Sequence, residues 1–364
     1  MPLSNVIPDQ YQPLLAAKCA RASALLAPFK PPVADIFPSA PLAFRMRAEF
    51  RIWHDGDKLD YVMFRRDDPR TPVPLYEFPI ACEAIQQLMP ILREKLTRSD
   101  ALRRKLFQVE FLSTQAGETL VTLIYHRKLQ DDWEREASVL AAELGISLVG
   151  RSRKQKIVLG QNFVREVLTV AGRTFSYLQY EQAFTQPNAA VNTCMLTWAC
   201  QRATTLTGDL LELYCGNGNF TLPLSLHFDN VIATELSKTS VRAARENLAH
   251  NDIDNIQIIR LSAEEVTQAM RCEREFRRLA DLAKPLHEYD LRTIFVDPPR
   301  AGLDDQTVQM ASGFEAIIYI SCNPETLAKN LAVLCQTHRI EHFALFDQFP
   351  YTNHMECGVL LLRN

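Results

Sequence analysis

Three segments of the chain carry residues that can do chemistry, and each contains or directly follows an apolar run of strand length. Asp209–Phe220 ends in a glycine loop, Asp297–Arg300 has the sequence Asp-Pro-Pro-Arg, and Ser321–Pro324 has the sequence Ser-Cys-Asn-Pro. Residues just past the carboxyl ends of parallel strands line the ligand crevice of an open α/β sheet, so we expect these segments to share one edge. Cys322 is there a candidate nucleophile, provided that its neighbours stabilise the thiolate. A buried structural cysteine is the alternative.

The glycine loop indicates a nucleoside site. Gly216 and Gly218 allow the backbone to turn tightly and to approach a ligand at the start of the following helix. Glu235 ends the next apolar run, where an acid can accept hydrogen bonds from a ribose diol. The third glycine of the dinucleotide fingerprint is missing, because Phe220 or Thr221 occupies its region. The pattern therefore favours a sulfonium-bearing nucleoside over a pyrophosphate, with a structural turn as the alternative.

Two further carboxylates accompany these segments. Asp297 precedes a pair of prolines that keep its loop extended, and it can accept hydrogen bonds from a bound base or cofactor. Glu356 comes just before the last apolar run, Val359–Leu362, and is a candidate general base. An ordinary proline-rich turn and a solvated loop carboxylate are the respective alternatives.

The elements that must position these residues change in character along the chain. From about residue 205, strands alternate with helical stretches such as Thr239–His250, which predicts a parallel sheet. The predicted strands are Leu210–Tyr214, Val231–Thr234, Ile256–Ile259, Thr293–Val296, Ile317–Ile320 and Val359–Leu362.

The first half favours an α+β domain with antiparallel strands. Its predicted helices are 12–28, 81–97 and one from about 131 to Gly145, and its predicted strands are Phe44–Trp53, 107–112, 119–126, 155–159 and 164–179. The hairpin 107–126 turns at Thr114–Gly117, and the last strand breaks at residues 171–172. We place the boundary near residue 180, giving domains 1–180 and 181–364.

Strand Phe44–Trp53 has strict period-2 alternation. One face is apolar, and the other displays Arg45, Arg47, Arg51 and Trp53. Arginine and tryptophan on one face suit contact with phosphates and stacking on bases, whereas a solvated strand face is the alternative.

Further basic and aromatic residues of the first half carry weaker indications. Arg151–Lys156 is a basic cluster that solvent exposure also explains. Phe107, Tyr125 and His126 are candidates to wedge into a nucleic-acid loop, with the hydrophobic core as the alternative.

Length and composition limit the class of protein. The 364 residues suit two domains, and no apolar run approaches the roughly 18 residues of a membrane span. Nine cysteines without a CxxC pair indicate neither a disulfide framework nor a cysteine-rich metal site, so we expect a cytoplasmic protein. Residues 1–180 carry 25 Lys and Arg against 20 Asp and Glu, whereas 181–364 carry 15 against 23. This asymmetry is compatible with a polyanion at the first half.

Six segments together resemble the RNA 5-methyluridine methyltransferases, and among them the branch that acts on transfer RNA. In chain order they are Phe44–Asp55, Phe184–Asn188, Leu211–Phe220, Phe295–Arg300, Tyr319–Pro324 and His354–Cys357. The resemblance implies a C-terminal Rossmann-like class I S-adenosylmethionine-dependent methyltransferase domain. It also implies an N-terminal α+β antiparallel-sheet RNA-binding domain.

The resemblance also implies roles for individual residues. Cys322 would be the nucleophile and Glu356 the base. The S-adenosylmethionine and uracil sites would be lined by Gln186, Tyr214, Asn219, Glu235 and Asp297. Whether Asp297 or Gln186 contacts the uracil stays open. For RNA contact we assign Arg45, Arg47, Arg51 and Arg300.

The function implied is methylation of C5 of uridine 54 in the T-loop of tRNA, and also of the tRNA-like domain of tmRNA. We expect a monomer without a metal ion. Cys19 and Cys82 are the only cysteines before residue 190, which argues against an iron–sulfur cluster. The alternatives are a ribosomal-RNA 5-methyluridine methyltransferase, an enzyme that methylates an exocyclic base nitrogen, and a tRNA-folding chaperone that binds the cofactor.

Overall fold

The computed structural model of this chain describes residues 6–65 and 68–364. In that part the α-helices are α1 (Tyr11–Leu26), α2 (Glu83–Arg98), α3 (Asp100–Arg103), α4 (Asp131–Leu144), α5 (Ala189–Ala203), α6 (Thr221–Leu224), α7 (Lys238–His250), α8 (Ala263–Met270), α9 (Asp305–Ala311) and α10 (Pro324–Leu334). The strands are β1 (Asp35–Phe37), β2 (Arg47–Asp55), β3 (Lys58–Phe64), β4 (Pro72–Leu75), β5 (Leu106–Ser113), β6 (Thr119–Tyr125), β7 (Ser147–Ser152), β8 (Gln155–Leu159), β9 (Phe163–Val170), β10 (Arg173–Tyr180), β11 (Asp209–Leu213), β12 (Val231–Thr234), β13 (Ile256–Ile259), β14 (Leu291–Val296), β15 (Ala316–Ser321), β16 (His338–Phe346) and β17 (Glu356–Arg363).

The chain divides into two units, each made of several segments. The first unit contains the described residues up to Pro8 together with Ala40–Val167 and Leu178–Ala189; the second contains Asp9–Ser39, Leu168–Tyr177 and Ala190–Asn364. The expected single boundary near residue 180 differs from this division at residues 181–189, which belong to the first unit, and at Leu168–Tyr177 and Asp9–Ser39, which belong to the second. The longest of these segments is Asp9–Ser39. That segment belongs to the second unit because α1 packs on α10 and β1 pairs in parallel with β16.

The second unit is built on an eight-stranded sheet of order β1-β16-β17-β15-β14-β11-β12-β13. Strands β11 to β15 are mutually parallel, as predicted. The last strand, β17, is an exception to the predicted parallel sheet, because it runs antiparallel to both β15 and β16. Strands β1 and β16 were not predicted.

The order of the parallel strands places a ligand crevice. The chain passes from β11 outward to β12 and β13, then returns to the other side of β11 as β14 and β15. In open α/β sheets, the crevice forms at such a switch point, outside the carboxyl ends of the strands. The crevice therefore lies beyond the ends of β11 and β14.

The first unit contains a seven-stranded sheet of order β4-β3-β2-β5-β6-β7-β8. Its pairs are antiparallel apart from β6 and β7, which are parallel and are connected through α4. Trp133 of α4 is fully buried, and a Cβ at Gly150 of β7 would lie 2.2 Å from its ring. The parallel pair was not predicted, because pairing across a helical crossover leaves no local pattern in the sequence.

In the first half, the strands and turns were predicted better from local sequence patterns than the pairing of the strands was. Strands β5 and β6 confirm the predicted hairpin, with the Gly117 N–H donating to the Thr114 carbonyl at 3.1 Å. Strands β9 and β10 confirm the break at residues 171–172, where φ is +48° and +86°. The predicted strand from Phe44 begins only at Arg47; Arg45 forms an isolated bridge with Ala81.

The helices of residues 6–65 and 68–364 include none that is long and apolar enough to cross a bilayer.

Candidate active site

Strand register brings two of the predicted catalytic residues together in the second unit. Ser321, the last residue of β15, pairs with Cys357 of β17. Cys322 directly follows Ser321, and Glu356 directly precedes Cys357. Because the two strands are antiparallel, Cys322 and Glu356 occupy the next position in register. Directly opposed residues in such a pair have Cα atoms roughly 4.5–5.5 Å apart. The predicted nucleophile and base therefore lie at the same edge of the sheet, where the Glu356 carboxyl group is close enough to raise the pKa of Cys322.

A tight turn fixes the backbone around Cys322. The Ser321 hydroxyl donates to the carbonyl of Asn323 at 3.1 Å, and the Asn323 N–H donates back to that hydroxyl at 3.2 Å. The Asn323 side chain caps α10 by accepting from the Glu325 N–H, and Pro324 occupies the first helical position. Each residue of the Ser-Cys-Asn-Pro segment thus contributes to the position of the thiol.

The Cys322 thiol is neutral in the free protein. Burial raises the pKa of this thiol to about 11, and the carboxyl groups of Glu356 and Asp297 contribute in the same direction. Arg300 acts against them and lowers the pKa. The expected stabilisation of the thiolate by its neighbours is therefore not found in the free protein, and the thiolate is a minor species near neutral pH.

Glu356 and Asp297 form a pair of carboxyl groups in a region of low polarity. Glu356 is 3% exposed, and burial followed by the nearby Asp297 raises its pKa well above the usual value. Burial also raises the pKa of Asp297 to about 7. Glu356 is therefore a buried group at the start of β17, and the solvated loop carboxylate considered from the sequence is not what the structure contains.

The glycine loop follows β11 with unusual backbone angles. Tyr214, Gly216 and Gly218 have φ values of +62°, +57° and +86°, in the region that favours glycine. A Cβ at Gly216 would meet no atom within 4 Å, whereas one at Gly218 would lie 2.6 Å from Leu222. Gly218 is thus required for packing, and Gly216 leaves open space that a ligand can enter.

Hydrogen bonds hold Glu235 and Asn219 beside this loop. The Glu235 carboxylate accepts from the Gly216 N–H at 3.1 Å and from the Ser237 N–H at 2.7 Å. Asn219 and Asn192 exchange two amide hydrogen bonds of 2.9 Å. Because each carboxylate oxygen can accept two hydrogen bonds, Glu235 retains capacity for a ribose diol.

A buried acid that the sequence argument passed over lies in the same region. Glu212 of β11 is 1% exposed, and burial raises its pKa to about 8, with Asp297 adding to the effect. Its Oε2 makes no hydrogen bond of ordinary geometry among the described residues, and the nearby Thr221 hydroxyl acts against the rise of its pKa. An acid inside the apolar run Leu210–Leu213 was the signal that could have revealed it.

These features fit the S-adenosylmethionine that the resemblance implies. The open space at Gly216 and the carboxylate of Glu235 suit a nucleoside. Among residues 6–65 and 68–364, no group of three His, Cys, Asp or Glu side chains is arranged to hold a metal ion.

Gln186 lies in the first unit, in the segment Glu181–Asn188. Arg47 supports this segment by donating to the carbonyls of Glu181 at 2.8 Å and Ala183 at 2.5 Å. The Glu181 carboxylate forms ion pairs with Arg151 and, at 2.6 Å, with Lys156. Two basic candidates for RNA contact, Arg47 and the 151–156 cluster, therefore have partners within the protein.

The remaining arginines of the predicted RNA face differ in exposure. Arg45 is half-buried and donates from Nε to the Arg47 carbonyl at 2.7 Å. Arg51 is exposed, and its guanidinium lies 3.8 Å from the ring centre of Phe107. The Phe107 ring in turn stacks on His126 with ring centres 3.9 Å apart.

The other aromatic and basic candidates are placed as follows. Tyr125 is 2% exposed and belongs to the core, so the wedge role does not apply to it. Arg300 is exposed in the second unit, and its carbonyl accepts from Asn323 and Thr326, both at 3.3 Å. These bonds tie the loop after Asp297 to the start of α10.

Comparison with known sequences gives consistent matches over the whole chain. Residues 10–364 match a family model described as tRNA (Uracil-5-)-methyltransferase. A curated Aromatoleum aromaticum protein named tRNA/tmRNA (uracil-C(5))-methyltransferase is 53% identical over 363 residues, which are 100% of this chain and 98% of that protein. A protein of the same name from Acinetobacter baumannii is 55% identical over 356 residues, covering 97% and 99%.

Comparison with solved structures supports the fold. The chain is similar to the crystal structure of Pyrococcus abyssi tRNA (uracil-54, C5)-methyltransferase in complex with S-adenosyl-L-homocysteine. The TM-score is 0.73 at 21% sequence identity, covering 97% of this chain and 83% of that one. The predicted fold class is thereby confirmed.

We expect the reactivity of Cys322 to rise with pH far beyond neutrality. Because the thiol of the free protein has a pKa of about 11, its thiolate fraction increases about tenfold per pH unit below that value. Alkylation of Cys322 by iodoacetamide, followed by peptide mass spectrometry between pH 7 and 10, should show this slope. A plateau reached by pH 8 would contradict the pKa assignment, and Cys322→Ala serves to identify the labelled peptide.

We expect Glu235→Ala to weaken S-adenosylmethionine binding by about 1.5–3 kcal/mol, because a charge-assisted hydrogen bond to the ribose is lost. Isothermal titration calorimetry measures the dissociation constant. Glu264→Ala, an exposed acid on α8, is the matched control and should bind as the unmodified protein does. Equal affinity of the two variants would move the ribose contact to another residue.

Proposed function

The chain belongs to the tRNA (uracil-5-)-methyltransferase family, and we propose that it methylates C5 of uridine 54 in the T-loop of tRNA through a covalent bond between Cys322 and C6 of the uracil. The predicted family and the predicted use of S-adenosylmethionine are confirmed, and the protein is a uracil-C5 methyltransferase of tRNA. The observation that carries the covalent route is the register that makes Cys322 and Glu356 neighbours.

The first step uses the thiolate of Cys322. C5 of uracil is a weak nucleophile, and addition of a nucleophile at C6 turns C5 into an enolate carbon. The Sγ–C6 bond forms, and the electron pair of the C5–C6 double bond moves toward C5 and O4. That electron pair then forms the new bond from C5 to a methyl group. S-adenosylmethionine would supply this methyl group from its electrophilic sulfonium: the bond between the sulfur and the methyl carbon breaks, and its electron pair stays on the sulfur, which leaves as a neutral thioether.

The second step uses the carboxylate of Glu356. It removes the C5 proton, which the neighbouring carbonyl has made acidic. The electron pair of the C5–H bond restores the double bond, the Sγ–C6 bond breaks, and the thiolate of Cys322 is returned. Support comes from the position of Glu356 at the start of β17, next in register to Cys322.

The binding of cofactor and base is proposed for the residues that the sequence indicated. Tyr214, Asn219 and Glu235 would hold the cofactor at the glycine loop. Asp297 and Gln186 are proposed for the cofactor or the uracil. A pKa of about 7 makes both forms of Asp297 available, so it can accept from uracil N3–H or donate to O4.

RNA contact by the first unit is proposed to centre on Arg51. Arg51, Phe107 and His126 form a stack whose two outer members are exposed. Cationic and aromatic groups in one stack suit a phosphate beside an unstacked base. The target uridine must leave its loop to reach the half-buried thiol of Cys322. Contacts of Arg45, Arg47 and Arg300 with RNA stay predictions.

The finer attributes of the function rest on related proteins and on the sequence. The Pyrococcus abyssi enzyme is named for uridine 54, and the curated relatives are named for tmRNA as well as tRNA; we propose both for this chain. The ribosomal-RNA alternative has no comparable support. A T-arm target, a monomeric state and a cytoplasmic location are retained as proposals.

We expect Glu356→Gln to accumulate a methylated RNA–protein complex. The amide keeps the shape of the side chain but cannot take the C5 proton, so the reaction stops before Cys322 is released; general-base loss costs about 10²–10⁴ in rate. The complex is measured as a band that survives denaturant, with unmodified tRNA as the substrate. The double variant Cys322→Ala/Glu356→Gln should form no band. Release at the original rate by Glu356→Gln would exclude Glu356 as the base.

We expect Arg51→Gln to weaken tRNA binding and to reduce the slope of log K against log salt concentration by about 0.7–0.9, since one phosphate contact is lost. Binding is measured at several salt concentrations. Arg98→Gln, which removes an exposed arginine of the same unit paired with Glu94, is the control and should leave the slope unchanged. Equal slopes for both variants would identify the Arg51 stack as ordinary surface.

A further inference from the structure

Helix α1 holds the segment of the second unit that leads to Glu356. The Lys18 ammonium pairs with the carboxylate of Asp347 and also donates to the Phe349 carbonyl at 3.0 Å. One turn further along, Arg21 donates to the carbonyl and to the side-chain oxygen of Asn353. Three residues of the segment 347–355 are thus bonded to one helix.

The segment 347–355 contains a backbone conformation that is unfavourable for most residues. Tyr351 has a φ of +60°, which disfavours residues other than glycine. Its ring meets the ring of Tyr11 edge-on, with centres 6.0 Å apart at 63°. Backbone in such a region persists where the surroundings fix it, and α1 supplies that support through Tyr11, Lys18 and Arg21.

Both ends of the segment adjoin the proposed base. Phe346 of β16 pairs with Glu356 of β17, so Asp347 directly follows the residue opposite Glu356. Lys18 is 6% exposed and Asp347 is 1% exposed. Two apolar side chains of similar size would avoid the cost of removing an ion pair from water, so a stability role alone does not account for this pair.

We propose that the Lys18–Asp347 pair positions Glu356 by fixing the segment 347–355. The pair thereby affects removal of the C5 proton rather than formation of the Cys322 adduct. This inference rests on the proposed function, in which Glu356 is the base. Lys18 does not touch the uracil in this scheme; it acts through the backbone and through its charge.

The charge of Lys18 gives the proposal a pH-dependent consequence. Four ionisable groups interact with Glu356. They are Asp297 directly after β14, Cys322 directly after β15, Cys357 on the same strand and Lys18 on α1. Lys18 lowers the pKa of Glu356, against the effects of burial and Asp297. Without the ammonium that pKa rises further, a smaller fraction of Glu356 is carboxylate at a given pH, and the rise of proton removal moves to higher pH.

The test is the double variant Lys18→Met/Asp347→Asn in the full chain. It removes both charges together, because loss of Lys18 alone would leave a buried carboxylate without its cation. Single-turnover reactions with unmodified tRNA separate two rates: appearance of the denaturant-resistant complex, and its decay to free methylated RNA. Both rates are followed from pH 6 to 9. A misplaced catalytic group can cost up to about 10²-fold, so we expect decay to slow at least about tenfold and its pH profile to move upward. Complex formation should stay within about threefold.

Two further variants keep the result interpretable. Arg339→Met/Glu341→Gln removes an exposed ion pair of β16 and should change neither rate. Arg21→Met removes only the bonds to Asn353, so it tests the segment even if the buried double variant does not fold. For Arg21→Met we expect decay to slow about threefold with its pH profile unchanged, because the charge next to Glu356 is retained.

The outcomes are distinct. The positioning role is overturned if the double variant slows formation and decay of the covalent complex equally. It is also overturned if the complex decays at the original rate and with the original pH profile. If the double variant does not fold, an unchanged decay rate in Arg21→Met overturns it. Glu356→Gln in the same assay distinguishes this failure from failure of the proposed function. If Glu356→Gln leaves decay unchanged, the base assignment is wrong. If it slows decay and the Lys18–Asp347 variant does not, only the positioning role is wrong.

Discussion

A strand that enters a parallel sheet in the reverse direction brings its first residues to the edge where its neighbours end. Strand β17 does this between β15 and β16, and the pairing of Ser321 with Cys357 follows from it. Had β17 run parallel, Glu356 would lie at the opposite edge, about 17–20 Å away for a strand of ordinary length. The reversal is therefore the constraint that makes a thiol and a carboxyl group neighbours, and the turn at Ser321 and the bonds from α1 serve to hold that arrangement.

Sequence reasoning succeeded where position follows from local pattern. The glycine loop, the loop of Asp297 and the turn of Cys322 all follow apolar strands, and parallel strands must end at one edge, so their convergence was predictable. The direction of β17, the parallel pair β6–β7 and the membership of α1 depend on partners distant in the chain, which periodicity does not encode. The same limit applies to the arginines of β2. Alternation predicted that Arg47 and Arg51 share one face, but it did not predict that Arg47 donates to the carbonyls of Glu181 and Ala183.

Burial of several acids at one edge determines their ionisation. Glu212, Asp297 and Glu356 all have raised pKa values, with burial as the largest cause in each, and the nearby Asp297 adds to the effect on the other two. Ionising one of them makes ionisation of its neighbours harder, and the same repulsion opposes the thiolate of Cys322. Approach of a positive charge has the opposite effect on every member of the group. A positive charge that enters this site would therefore favour ionisation of Cys322 and Glu356, the groups proposed as nucleophile and base.

The proposed reaction also leaves the total charge of this site unchanged at each step. Addition of the thiolate moves one negative charge from Sγ onto the uracil, and methylation cancels that charge with the one positive charge that accompanies the methyl group. Proton removal then neutralises Glu356 while elimination returns the negative charge to Sγ. Creating a net charge in a region of low polarity would cost several kcal/mol, and no step that follows ionisation of Cys322 and Glu356 requires it. Only afterwards must the proton leave Glu356 for water. Two adjacent anionic groups would otherwise repel each other, and in the proposed reaction this conservation of charge is the physical reason that one site can use both.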